Sequence, residues 1–122
     1  MILVDTSVWV DHLRRGNEAL SRLLTQHQVC MHTMVIGELA CGNLRDRDRL
    51  LELWRDLPRI PHASHEEALI FISRQRLAGK GIGYIDVHLL ASVAIRPGST
   101  LWTRDKRLAD VAGALELATT AD

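Results

Sequence analysis

The first four residues, Met1-Ile2-Leu3-Val4, form a continuous apolar run that stops abruptly at Asp5-Thr6-Ser7. A short apolar run without alternation is typical of a strand that is buried on both faces. Aspartate, threonine and serine are residues that commonly begin helices. The chain is therefore predicted to start with a buried strand that leads directly into a helix, which is the repeating unit of a parallel sheet covered by helices.

The remaining sequence continues this alternation of short apolar segments and longer amphipathic ones. Such an alternation predicts an α/β fold with a central, mostly parallel sheet flanked by helices. The length of 122 residues suits one domain, 1–122. Further strands are predicted at 29–32, 101–103 and 115–118, and helices at 8–14, 18–26, 34–41, 46–57, 65–77, 85–95 and 105–112.

Charge and composition exclude some classes of protein. The net charge is zero, with 15 basic and 15 acidic residues, which argues against a protein that coats nucleic acid through bulk charge. The basic residues are nearly all arginines, whose planar guanidinium suits phosphate and carboxylate groups. A solvated surface is the commoner explanation of dispersed arginines; the alternative is an acidic pocket rimmed by them.

The compartment is predicted from cysteines and hydropathy. The two cysteines, Cys30 and Cys41, have no Cys-x-x-Cys spacing and do not suggest a disulfide framework. No signal peptide is visible, and no apolar stretch approaches the roughly 18 residues of a membrane helix. The expectation is a cytoplasmic protein without a membrane partner.

Two aspartates, Asp5 and Asp105, follow directly on predicted strands. Ligands of parallel α/β sheets bind beyond the carboxyl ends of the strands. Two further acids, Glu38 and Asp86, are predicted on apolar sides of helices, where an unpaired charge is costly. Each acid also has an ordinary structural explanation, which is a helix cap for the three aspartates and a buried ion pair with an arginine for Glu38.

Together the four acids are predicted to meet at one edge of the sheet. Clustered carboxylates repel one another unless a cation neutralises them. Oxygen ligands suit Mg²⁺ or Mn²⁺ better than zinc, and such an ion supports phosphodiester hydrolysis by activating water. The sequence lacks His-Glu-x-x-His, Gly-x-Gly-x-x-Gly, phosphate-loop and Gly-x-Ser-x-Gly motifs, and its aromatic content of 4% disfavours a binder that stacks bases.

The same residues resemble a known family. Val4-Asp5-Thr6-Ser7-Val8-Trp9, Ile36-Gly37-Glu38-Leu39, Asp86-x-x-Leu89-Leu90-Ala91 and Thr103-x-Asp105 resemble, in order, the motifs of PIN domains, and most closely those of VapC-type toxins. The resemblance implies a PIN-like fold, an acidic site for Mg²⁺ or Mn²⁺, and metal-dependent endonucleolytic cleavage of RNA. It assigns catalysis and metal binding to Asp5, Glu38, Asp86 and Asp105, with supporting hydroxyl groups from Thr6 or Ser7 and from Thr103.

One position departs from the family pattern. Many relatives carry a further acid two residues beyond the last motif aspartate, where this chain has Arg107. The resemblance therefore leaves the number of metal ions open. It also implies a cognate VapB-type antitoxin, which lays a peptide into a groove, and a homodimer. The apolar surface at 50–54 is a candidate partner surface, and three arginines are candidates for guiding the RNA backbone: Arg14, Arg15 and Arg104.

Two other functions remain open at this point. An α/β phosphohydrolase of the haloacid-dehalogenase type would use Asp5 as a nucleophile, but such enzymes have a second aspartate two residues on, where this chain has Ser7. A non-catalytic PIN-like interaction domain would keep the fold and use the acids for ion pairs.

Overall fold

A computed structural model describes residues 1–120 and contains a parallel sheet of three short strands. The strands are β1 (Ile2–Val4), β2 (Val29–Cys30) and β3 (Thr100–Trp102), in the order β2-β1-β3. Leu3 pairs with Cys30 on one side and with Leu101 on the other. Leu3 and Val4 are fully buried, as a central strand without alternation requires. The predicted α/β class is confirmed.

Seven helices lie within the described residues, and each boundary is within two residues of its predicted place. The apolar helix α6 is the most deeply packed, since every residue from 87 to 93 is buried. Within residues 1–120 no helix is long and apolar enough to cross a membrane. The helices are α1 (Thr6–Arg15), α2 (Glu18–Thr25), α3 (Thr33–Ala40), α4 (Arg47–Asp56), α5 (His65–Gln75), α6 (Tyr84–Ile95) and α7 (Lys106–Ala114).

The strand predicted at 115–118 is wrong. Only one bridge forms there, between Leu101 and Ala118. Glu116 has a φ of 60°, which turns the chain out of the extended conformation. The N–H of Leu117 bonds back to the carbonyl of Ala112 and closes the end of α7. The extended segment therefore begins too late to form more than this one bridge.

The topology brings two helix starts to one edge of the sheet. β1 passes into α1 at Asp5, and β3 is followed by α7, which begins after Asp105. The two strands are neighbours, and the N–H of Asp5 bonds to the carbonyl of Trp102. Residues 98 positions apart in the chain therefore lie side by side at the carboxyl ends of the strands.

Candidate metal centre

Asp5 lies at the centre of a hydrogen-bonded group of hydroxyls. Its Oδ2 accepts bonds from Ser7 Oγ at 2.7 Å and from Thr103 Oγ1 at 2.7 Å. Although Asp5 occupies the N-cap position of α1, its side chain makes no capping bond. The helix-cap explanation is therefore wrong for this carboxylate. Asp5 is buried, and the two hydroxyls fix its orientation.

Thr103 and Asp105 extend this group along the connection between β3 and α7. Thr103 Oγ1 accepts a bond from the N–H of Asp105 at 3.0 Å. Asp105 Oδ1 in turn accepts from the N–H of Leu108, so the predicted capping role of Asp105 is confirmed. Capping occupies one carboxylate oxygen and leaves Oδ2 of Asp105 as the oxygen available to a further ligand.

Glu38 differs from its prediction in one respect. It lies on α3 as expected, but it is exposed rather than on the apolar side. Val35 and Leu39 define the buried face, and Glu38 is one position, or about 100° of helix rotation, from Leu39. Thr6 Oγ1 donates a bond of 2.7 Å to Glu38 Oε1, which joins α3 to the start of α1. No ion pair of Glu38 occurs in the described part of the chain, so the alternative of a buried Arg–Glu pair is wrong.

Asp86 is half-buried in the first turn of α6, where its Oδ2 accepts a bond from the N–H of Gly83 at 3.0 Å. The predicted cap at this helix start is confirmed. Burial raises the pKa of the Asp86 carboxyl, and the bond from Gly83 opposes this effect. The charges of Asp5, Asp105 and Glu38 raise the pKa of Asp86 further, in that order. All three acids are therefore close enough to repel a charge on Asp86.

The donor chemistry of this cluster fits a hard divalent ion. Its four carboxylates come from four separate parts of the fold, and none of them forms an ion pair within residues 1–120. In the same residues, no three His, Cys, Asp or Glu side chains are placed to hold one ion together. Magnesium usually binds one or two carboxylates and retains several waters, so a complete protein cage is not required. The cluster thus fits Mg²⁺ better than a structural zinc site.

A sequence model of the PIN domain matches residues 2–114. The chain belongs to the PIN-domain family. It is 48% identical over 108 residues to Ribonuclease VapC32 of Mycobacterium tuberculosis, both in strain CDC 1551 / Oshkosh and in strain ATCC 25618 / H37Rv. The match covers 88% of this chain and 87% of that protein. The resemblance to PIN domains and VapC-type toxins is confirmed.

The three predicted backbone-guiding arginines of this PIN domain lie together beside Ser7. Arg14, Arg15 and Arg104 line one hollow, and all three are exposed. Sequence reasoning missed Asp11, whose carboxylate is paired with Arg15 at 2.6 Å and with Arg104 at 3.2 Å. The four-residue spacing of Asp11 and Arg15 was a visible signal for the first pair.

Arg107, at the departure from the family pattern, does not replace the missing acid in the cluster. Its side chain lies against Gly81 in the connection between α5 and α6. A Cβ at Gly81 would be 2.8 Å from Arg107 Cδ, and the φ of Gly81 is 80°, so glycine is needed there. Arg107 thus contacts the loop that leads to Asp86.

A second concave surface of the PIN domain adjoins the acids. This groove has a volume of about 420 Å³, with Thr6 and Glu38 in its lining. Much of the remaining lining is apolar and comes from α1, α3, α4 and the connection between α3 and α4: Val10, Leu13, Leu39, Leu44 and Leu50. Of the predicted surface at 50–54, Leu50 lines the groove and Leu53 is exposed, whereas Trp54 packs against Trp9 in the core.

Proposed function

We propose that this PIN domain is a metal-dependent endoribonuclease and the toxin of a VapBC-type toxin–antitoxin pair. The observation that carries the proposal is the cluster of four acids, which has no cationic side chain paired to it within residues 1–120. The relative named Ribonuclease VapC32 supports an RNA-cleaving activity. Dependence on a divalent ion is general among PIN-domain ribonucleases. We propose that Asp5, Glu38, Asp86 and Asp105 hold Mg²⁺ or Mn²⁺, some of them directly and the others through water that the ion retains.

A divalent ion bound there would activate water and neutralise charge that develops on the phosphate. Hydroxyl groups of the protein orient the carboxylates that would hold the ion. Ser7 and Thr103 donate hydrogen bonds to one oxygen of Asp5 and leave its Oδ1 for a ligand. Thr6 donates a hydrogen bond to Oε1 of Glu38 and leaves its Oε2 for a ligand. These hydroxyls are the support that carboxylate ligands require in order to keep one conformation.

The partner we propose for the apolar groove is a peptide of a VapB-type antitoxin. The groove ends at Thr6 and Glu38, so a peptide in it would reach the acids directly. An arginine on that peptide would find an unpaired carboxylate at Glu38, which would block access of RNA. We propose that this encounter takes place in the cytoplasm.

We also propose that the protein forms a homodimer. Apolar side chains remain exposed on α5 and on α6, with Ile70 50% exposed and Ile95 49% exposed. Exposed residues of this size, together with Leu69 at 42%, provide an apolar surface that a second copy would cover. Sedimentation of the purified protein tests this proposal, and a monomer at micromolar concentration would contradict it.

The central experiment incubates the purified protein with total RNA, with and without Mg²⁺ or Mn²⁺. We expect discrete cleavage products that disappear when the ion is chelated. Cleavage that persists in excess chelator would contradict the metal-dependent mechanism. Covalent phosphoryl trapping on Asp5 would instead support the phosphohydrolase alternative.

Addition of Mn²⁺ is expected to raise the melting temperature of the protein. A ligand that binds only the folded state at 100 times its dissociation constant stabilises that state by about 2.7 kcal/mol. The upward shift follows because the ion relieves repulsion among four carboxylates. Thermal melting in chelator and at increasing Mn²⁺ concentration measures this shift, and NaCl of equal ionic strength, without a divalent ion, is the control. An unchanged melting temperature would support the non-catalytic interaction domain.

A further inference from the structure

The hollow beside Ser7 adjoins the apolar groove, with which it shares Val10 and Arg14, but its lining is more polar. Its volume is about 490 Å³. It lies between α1 and the connection from β3 to α7, and it adjoins the acid cluster because Ser7 lines the hollow and also donates a bond to Asp5. Its lining is Ser7, Val10, Asp11, Arg14, Arg15 and Arg104.

We propose that this hollow binds a phosphate of the RNA backbone next to the phosphate that is cleaved, and that Asp11 positions the arginines that bind it. The inference rests on the proposed nuclease function, since that function brings the RNA to the acids. It adds a defined subsite with a defined ligand, a phosphodiester, and a positioning residue that is not an arginine.

Arg104 is held at both ends. Its backbone N–H donates a bond of 3.0 Å to Ser7 Oγ, the hydroxyl that orients Asp5. Its Nη1 donates to Asp11 Oδ2 at 3.2 Å. The side chain thus runs from the edge of the acid cluster into the hollow, and the remaining N–H groups of its guanidinium are available to a ligand.

Asp11 forms the floor of the hollow. Its side chain is only 11% exposed, whereas those of Arg15 and Arg104 are 69% and 49% exposed. It accepts a bond of 2.6 Å from Nε of Arg15, which leaves the N–H groups of the two terminal nitrogens available to a ligand. The bond from Arg15 lowers the pKa of Asp11, with further lowering by Asn17 and Arg104, so the carboxylate stays charged.

The charge balance of the lining selects an anion. One carboxylate, which pairs with Arg15 and Arg104, lies in a lining that also contains Arg14, and arginine binds phosphate through two parallel hydrogen bonds. The acids next to the hollow repel anions unless a divalent ion is bound. A polyanion that extends from the ion-bound site into the hollow satisfies both regions, and RNA has this pattern of regularly spaced phosphates.

The test measures binding of a fluorescent single-stranded RNA to Glu38→Gln protein in Mg²⁺ at several salt concentrations. Adding Arg104→Gln is expected to weaken binding and to reduce the slope of log affinity against log salt by about 0.7, the value for one lost phosphate contact on a single strand. Arg74→Gln, at an exposed position of α5, is the matched control and should leave the slope unchanged. Equal slopes for Arg104→Gln and its parent, or no measurable binding by the parent, would overturn the subsite.

The sign of a second effect tests Asp11. Removing a negative charge from a phosphate site strengthens binding if only overall charge matters. If Asp11 positions the arginines, Asp11→Asn weakens binding by about threefold, the scale of an exposed ion pair. Asp110→Asn, an exposed aspartate of α7, controls for the charge change. Tighter binding by Asp11→Asn would overturn the positioning role.

The position of the phosphate is tested with RNAs that carry one uncharged methylphosphonate linkage at successive places. The Arg104→Gln effect should vanish for the linkage adjacent to the cleaved one and persist for the others. Binding that depends on Arg104, in a wild-type protein that cuts no RNA, would contradict the nuclease and leave the hollow as a phosphate site only. Cleavage by a wild-type protein whose RNA binding is unchanged by Arg104→Gln would support the nuclease and contradict the subsite.

Discussion

Asp5→Asn is expected to reduce RNA cleavage by about 100-fold or more, the loss seen when one electrostatic group of a preorganised active site is removed. Asparagine keeps an oxygen that can accept the bonds of Ser7 and Thr103, so these two side chains stay in place around position 5. What is lost is the negative charge that would hold the divalent ion. Cleavage of a fluorescent RNA under single-turnover conditions measures the effect.

The matched control is Asp110→Asn, which makes the same chemical change at an exposed position of α7 outside the cluster. It should cut RNA at the wild-type rate. In chelator, Asp5→Asn should melt no lower than wild type, because it keeps an acceptor for Ser7 and Thr103 and removes a charge that opposes the ionisation of Asp86. Its melting temperature should respond less to Mn²⁺. Wild-type cleavage by Asp5→Asn would remove Asp5 from the mechanism.

Acid is expected to destabilise the protein through His32. This histidine is 1% exposed and lies flat against His62, with ring centroids 4.6 Å apart. Its Nδ1 accepts a bond from the N–H of Met34 and thereby caps α3, and its Nε2 is 3.2 Å from Ser92 Oγ. A proton on Nδ1 would break the cap of the helix that carries Glu38.

Burial lowers the pKa of His32 from 6.5 to about 4, with smaller contributions from His62 and His88. The unfolded chain therefore binds a proton at a higher pH than the folded chain does. Stability from this group is complete above pH 6.5, declines as the pH falls, and is lost by about pH 4. The total is about 3 kcal/mol, at about 1.36 kcal/mol for each pH unit.

Urea unfolding at several pH values between about 7.5 and 4.5 measures this decline in the free energy of unfolding. His32→Asn should flatten the pH dependence, since asparagine can cap α3 without titrating there. His27→Asn is the control, because His27 is exposed and has a positive φ that asparagine tolerates. Parallel pH profiles for wild type and His32→Asn would show that His32 is not the responsible group.

Most of the fold was predictable because its signals are local. The apolar run before Asp5 identifies a buried strand. Helix starts are visible in a few residues too, as at Ser64, whose side chain forms a capping box with that of Glu67. The extent of pairing was not predictable in the same way. Whether 115–118 forms a strand depends on the turn at Glu116, and a glutamate gives no signal for a positive φ.

The residues of the candidate site were likewise predictable only where their signals are local. Asp5 and Asp105 could be assigned because each follows a strand, and strand ends meet at one edge of a parallel sheet. The exposure of Glu38 could not be predicted, since Met34 and Ile36 near it are apolar but only half-buried. The pair between Asp11 and Arg104 joins residues 93 positions apart, and only the tertiary structure brings them together.

The bond from Thr103 to Asp5 spans 98 positions, nearly the whole described chain. During translation, the first strand leaves the ribosome long before its partner β3 exists. Thr103 and Asp105 are among the last parts of the site to be made. For an enzyme of the kind proposed, we therefore expect a nascent chain that still lacks β3 and Asp105 to cleave no RNA, because half of the strand pair that forms the site does not yet exist.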